Sequence, residues 1–182
     1  MPSEGGNALP TEFEELGIRL LGRPPRVPFE VMTYCLDGTP QVLKADPFLT
    51  EQGILKPFPT FLWLVCPRLK KLVSRLEASQ MVSMYEKRLS EEEEFREKYL
   101  DSQRKIGTIR LEFAQRKNPE LSEEVIRILR ETSIAGSRDL LGVKCLHAHL
   151  AHFLAYGNNP IGEEVLRLIG PCCSNSNEPI KE

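Results

Sequence analysis

From Val143 to Tyr156 the chain carries no proline and no glycine, and Lys144 is its single formally charged side chain when the histidines are neutral. A helix with so little charge around its circumference is buried on most sides, so the rest of the chain has to be built around this segment. Gly157 supplies a C-terminal stop. At about 100° per residue, Val143, Leu146, Leu150, Phe153 and Leu154 form an aliphatic stripe. Ala148, Ala151 and Ala155 form a strip of small residues where another backbone can approach. Cys145, His149, His152 and Tyr156 fall within about 60° of one another on a third face, and His147 points to the edge of the aliphatic stripe.

All three histidines of the protein lie in this segment, beside one of its five cysteines. Thiolate and neutral imidazole are the usual ligands of zinc and other borderline metals. Spacings of three and four put donors on adjacent turns, so Cys145, His149 and His152 are candidate metal ligands. The competing reading is a buried helix whose imidazoles bond to backbone carbonyls, with Cys145 as a small hydrophobe. Clustering favours a site, because several buried imidazoles need several partners.

The 182 residues are 41% hydrophobic and 27% charged, which fits one globular domain over 12–173. Residues 1–11 read as a flexible N-terminus and 174–182 as a disordered polar tail. With 24 basic and 26 acidic residues the net charge is −2, which speaks against a nucleic-acid-binding surface. No apolar run approaches the roughly 20 residues of a membrane span, and the N-terminus has no basic-then-apolar signal pattern. A cytoplasmic protein without membrane contact is expected. In that compartment cysteines serve as ligands, nucleophiles or buried thiols more often than as disulfides.

Thr11 can cap a short helix from Glu14 to Leu21. Gly22-Arg23-Pro24-Pro25-Arg26 then stops it with an extended piece flanked by arginines. Phe29 to Cys35 alternates in polarity as a strand does, and Asp37-Gly38 signals a hairpin returning over Gln41 to Ala45. Cys35 therefore sits beside a tight turn. Residues 46–57, with Pro47, Gly53 and Pro57, read as a loop. Phe61 to Val65 is a continuous apolar run short enough for a buried strand. These strands make a small, mostly antiparallel three-stranded sheet in the N-terminal third.

Cys66-Pro67 ends the apolar run. Proline favours the first helical position, which puts Cys66 at a helix N-cap, where the positive end of the dipole activates a thiol. Leu69, Leu72, Val73 and Leu76 give that helix its inner stripe. Helical periodicity continues through Leu89, and Ser90 with Glu93 matches a capping box opening a long helix to about Lys117. Ser122 caps a short helix carrying Val125, Ile128 and Leu129. Asn159 and Pro160 open a last helix, stopped by Gly170-Pro171. Cys172 and Cys173 follow, and Cys172 is the better candidate ligand of the two. The class is α+β, a small sheet packed against a mainly helical remainder.

Gly142 to His152, Asn159 to Gly162, Phe58 to Pro67, Arg75 to Ala78 and Gly22 to Pro25 together resemble an uncharacterised bacterial family catalogued as domain of unknown function 501. The resemblance spans about residues 17–173 and is weakest over 80–132. It implies that Cys66, Cys145 and the histidines occupy motif positions. It supplies no reaction.

Three functions follow from these residues. The leading one is a metal or iron–sulfur protein whose zinc ion or cluster is held by thiolates of Cys35, Cys66, Cys145 and Cys172, with His149 and His152 as further ligands. If Arg23, Arg26 and Arg68 converge near it, a small anionic ligand is implied. The second is a metal-free enzyme with Cys66 as nucleophile and His147 or His149 as base. The third is an interaction protein whose cysteines and histidines serve only the core.

Overall fold

Alternation at 29–35 and the Asp37-Gly38 signal do produce a hairpin. The computed structural model describes residues 12–172. The fold is α+β, with an antiparallel sheet in the order β1 (Phe29–Tyr34), β2 (Pro40–Ala45) and β5 (Leu62–Leu64). Gly38 takes φ 83° in the turn, a value that favours glycine. The Asp37 carboxylate accepts from the Thr39 N–H at 2.9 Å. Val31 stands opposite Leu43, and the register slips by one residue around Met32. Strand β1 ends at Tyr34, which leaves Cys35 in the turn itself.

Residues 46–57 depart from the expected loop. They form a second hairpin, β3 (Phe48–Glu51) and β4 (Ile54–Pro57). Its turn holds Gln52 at φ 53° and Gly53 at φ 77°. Glutamine is not a residue that marks such turns, so the local signal is weak.

Seven helices complete the described residues: α1 (Glu12–Leu21), α2 (Pro67–Ala78), α3 (Met81–Glu91), α4 (Glu93–Lys117), α5 (Glu123–Glu131), α6 (Leu146–Tyr156) and α7 (Pro160–Ile169). Cys66 is the N-cap of α2 with Pro67 in the first turn. The Ser122 and Asn159 side chains cap α5 and α7 by accepting from Val125 N and Gly162 N. The expected Ser90–Glu93 capping box does not form. Ser90 lies in the last turn of α3 and donates to the Lys87 carbonyl at 2.6 Å, while α4 starts from Glu92 without a side-chain cap. The proposed cap at Thr11 lies outside the described residues.

The central helix is shorter than its sequence allows. Helix α6 begins at Leu146 rather than Val143, with Cys145 as an extended N-cap. It lies among α7, α2 and the sheet, and Leu146, Leu150 and Ala151 are fully buried. Gly162 makes the α6–α7 approach possible: a Cβ there would sit 2.2 Å from the His149 carbonyl oxygen. A second tie is the fully buried Arg110 of α4. Its guanidinium donates to the carbonyls of Leu129, Thr132 and Pro59 at 2.5, 2.7 and 2.6 Å, holding α4 to the α5 end and to the chain entering β5. Burial without a carboxylate partner among these contacts pulls its pKa down to about 10. Among the described residues no helix is long and apolar enough to cross a membrane.

Candidate functional site

Three chain segments far apart in sequence bring their cysteines together. Cys35 lies in the β1–β2 turn, Cys66 ends the β5 segment, and Cys172 follows α7. Their sulfurs all lie within 4.8 Å of one another, and all three residues are buried. The Cys66 and Cys172 sulfurs are 3.3 Å apart, well beyond the roughly 2.05 Å of a disulfide bond. The sheet sets this geometry. The Gln41 carbonyl on β2 accepts from Val65 N at 3.0 Å and Cys66 N at 3.4 Å. The Thr33 hydroxyl donates to Gln41 Oε1 at 3.2 Å, which turns Nε2 toward Cys35 Sγ at 3.7 Å. One residue thus ties Cys35 to Cys66 through both its backbone and its amide.

Cys145 belongs to a different group. Its sulfur lies 3.6 Å from His147 Nδ1, and Glu77 of α2 lies on the other side of that nitrogen, with Oε1 at 3.1 Å. The same Oε1 accepts the Leu146 N–H at 2.8 Å and so caps α6 in trans. That long-range cap explains why α6 starts at Leu146. The Nε2 of His147 faces the Lys70 carbonyl at 3.2 Å and the Ser74 hydroxyl at 3.3 Å. A carbonyl and a carboxylate can only accept, so both ring nitrogens carry protons and His147 is an imidazolium. The bond to Cys145 and the charge of Glu77 push its pKa up to about 9 against the opposing effect of burial.

His149 and His152 form a third group. Asn159 Nδ2 donates to Nδ1 of both rings, at 3.1 and 3.0 Å, while its Oδ1 accepts from Gly162 N at 2.8 Å. That backbone bond fixes which end of the amide faces the rings. Both rings are therefore Nε2–H tautomers, and the lone pairs a metal would need, at Nδ1, are taken by Asn159. Burial, with the neighbouring His152, drives His149 down to about 3, and burial drives His152 down to about 4. Both are neutral at physiological pH.

The candidate ligands thus separate into Cys35–Cys66–Cys172, Cys145 with His147 and Glu77, and His149 with His152 on Asn159. The Cys145, His149 and His152 face projected on a longer helix does not form, because Cys145 is not helical. Among the described residues two donor groups are close enough to hold a metal ion, the three cysteines and the Glu77–Cys145–His147 group. Of the arginines, Arg26 pairs with Glu51 at 2.8 Å and Arg23 lies over the Trp63 ring at 4.7 Å. Arg68 is exposed on α2.

The sequence reading missed Glu77 and Gln41. Glu77 left a trace: a carboxylate in the last turn of a basic helix opposes the helix dipole and calls for a partner elsewhere. Gln41 left none.

A family described as protein of unknown function (DUF501) matches residues 31–167. The chain belongs to the DUF501 family. The match starts before Cys35 and includes Cys66, Glu77, Cys145 and all three histidines, while Cys172 lies just beyond it. No curated protein and no solved structure matches this DUF501 member.

Proposed function

We propose that the protein binds a single thiolate-held metal ion of the zinc class on Cys35, Cys66 and Cys172. The observation that carries this reading is the meeting of three sulfurs from three separate segments within 4.8 Å. Zinc–sulfur bonds of about 2.3 Å in a tetrahedron place sulfurs roughly 3.8 Å apart. An iron–sulfur cluster spreads its thiolates over several iron atoms and needs them farther apart, so one ion suits this spacing better. The three thiols would bind the ion as thiolates, so binding releases protons.

Three protein ligands plus one water make an open, reactive zinc site, and four protein ligands make a closed one. Cys173 follows Cys172 in the chain and is the thiol to test as a fourth ligand. Joining the β1–β2 turn, the start of α2 and the chain beyond α7 makes metal binding a contribution to folding.

The test is elemental analysis of protein purified without oxygen or chelators, followed by zinc titration of the apo form. One ion per chain, lost in Cys35→Ser and Cys66→Ser, supports the reading. A stable protein that neither copurifies with a metal nor binds added zinc or iron overturns it. Retention of the ion in Cys173→Ser makes the fourth position open.

A further inference from the structure

We propose that Cys145 is a nucleophile lining a cationic cleft built to receive a small anion carrying an electrophilic carbon. The inference does not depend on the metal, since none of its residues belongs to the three-cysteine group.

Cys145 differs from a lone thiol in its surroundings. His147 Nδ1–H lies against its sulfur at 3.6 Å. Nε2 of that ring is bound to the Lys70 carbonyl at 3.2 Å and Nδ1 to the Glu77 carboxylate at 3.1 Å, so the ring is held as a cation with its proton next to the sulfur. An N–H held against the sulfur stabilises the negative charge that develops there when Cys145 attacks. Cys145 is the N-cap of the 11-residue α6, whose first N–H, at Leu146, donates to the Glu77 carboxylate at 2.8 Å. Its side chain is only partly buried, unlike the three clustered cysteines.

The space in front of the sulfur supports the same reading. A cleft of about 430 Å³ runs from Cys145 and His147 to Arg23. Arg23, Lys70, Lys144 and His147 line it, and no aspartate or glutamate does. Glu77 is not among its lining residues and meets His147 from the α2 side. The rest of the lining is largely apolar, including Leu62, Leu64 and Trp63. Several cations among apolar side chains, with the Cys145 sulfur in the same lining, fit a small carboxylate- or phosphate-bearing molecule. His147 and Glu77 are positioning residues here, and Lys144 and Arg23 attract the anion.

Iodoacetate is the minimal probe of that class, and iodoacetamide is its neutral counterpart. In either reaction the Cys145 thiolate attacks the methylene carbon, an S–C bond forms, the C–I bond breaks, and iodide leaves with the bonding pair. His147 keeps its proton throughout. Labelling rates of the full-length protein are read at Cys145 by peptide mass spectrometry, with free cysteine as reference. The iodoacetate-to-iodoacetamide rate ratio at Cys145 should exceed that of free cysteine by about tenfold and fall at high salt. It should drop toward the free value in Lys144→Gln with Arg23→Gln, two exposed positions that leave the core untouched. His147→Gln should slow both reagents together. A ratio equal to that of free cysteine, or one that survives removal of both exposed cations, overturns the proposal, as does a Cys145 that neither reagent labels in the folded protein.

Discussion

Cys66 and Cys145 occupy the same local position. Each is a helix N-cap, Cys66 at φ −53° and Cys145 extended at φ −163°, and neither makes a side-chain capping hydrogen bond. Their neighbours separate them. Around Cys66 stand two more sulfurs, from the β1–β2 turn and the chain after α7, and all three residues are buried. Around Cys145 stand an imidazolium and a carboxylate, at the rim of a cleft. Three converging sulfurs offer a ligand set for one cation, whereas the single Cys145 sulfur already faces a protonated imidazole. On the proposed reading, the same residue type at the same N-cap position serves as a ligand in one place and as a nucleophile in the other. What sets the role is the tertiary company, not the cap.

The largest effect that can break this comparison is on metal binding. Cys66→Ser should lower zinc affinity by more than about 100-fold, since even loss of an outer-sphere partner costs 10- to 100-fold. Cys145→Ser should leave it unchanged, as read by competition titration. Equal losses in both variants would merge the two sites into one.

Next in size is the support under α6. Asn159→Ala removes the α7 cap and leaves the Nδ1 atoms of two buried rings without a donor. It should cost about 3 kcal/mol in urea unfolding while sparing both metal binding and Cys145 labelling.

The histidines should also divide by pH. His149 and His152 have folded pKa values depressed to about 3 and about 4. Below the unfolded value near 6.5 the unfolded chain binds protons that the folded one refuses, so stability falls as pH drops. Each ring should contribute a loss of roughly 2 kcal/mol between pH 7 and 4.5. His147, raised to about 9, works in the opposite sense: its contribution is complete below about 6.5 and disappears as pH rises through 9. Unfolding curves at pH 4.5, 7 and 9.5 check both limbs, and His152→Gln should flatten the acid limb alone.

The smallest effect expected is at Gln41, whose amide reaches Cys35 Sγ. Gln41→Leu should weaken zinc binding about tenfold with no change at Cys145.

How much of this was legible beforehand follows from the range of the interactions involved. Strand alternation, the Asp37-Gly38 turn, and the caps at Cys66, Ser122 and Asn159 are local signals, and each formed where expected. The start of α6 was not legible, because nothing between Val143 and Cys145 breaks a helix. The N–H of Leu146 is instead claimed by Glu77, 69 positions earlier. The hairpin over Phe48 to Pro57 was missed because Gln52, an unusual residue for positive φ, occupies its turn. Cysteine placement at turns and caps pointed to Cys35, Cys66 and Cys172 one at a time. Only the β1–β2–β5 pairing and the return of the chain after α7 bring them together. Conversely, the projection of Cys145 with His149 and His152 onto one face was sound for an uninterrupted helix and lost its basis when Cys145 became the cap.

The central claim is that the thiolates divide into a metal-binding set and a separate nucleophile. Anaerobic titration of the apo protein with Co²⁺ reads it most directly, because thiolate-to-cobalt charge-transfer absorption grows with the number of sulfurs bound. The account predicts one equivalent of Co²⁺ with charge-transfer absorption that weakens in Cys35→Ser, Cys66→Ser and Cys172→Ser and is unchanged in Cys145→Ser, His149→Gln and His152→Gln. Absence of charge-transfer absorption in the unmodified protein, or its loss in Cys145→Ser, would contradict it.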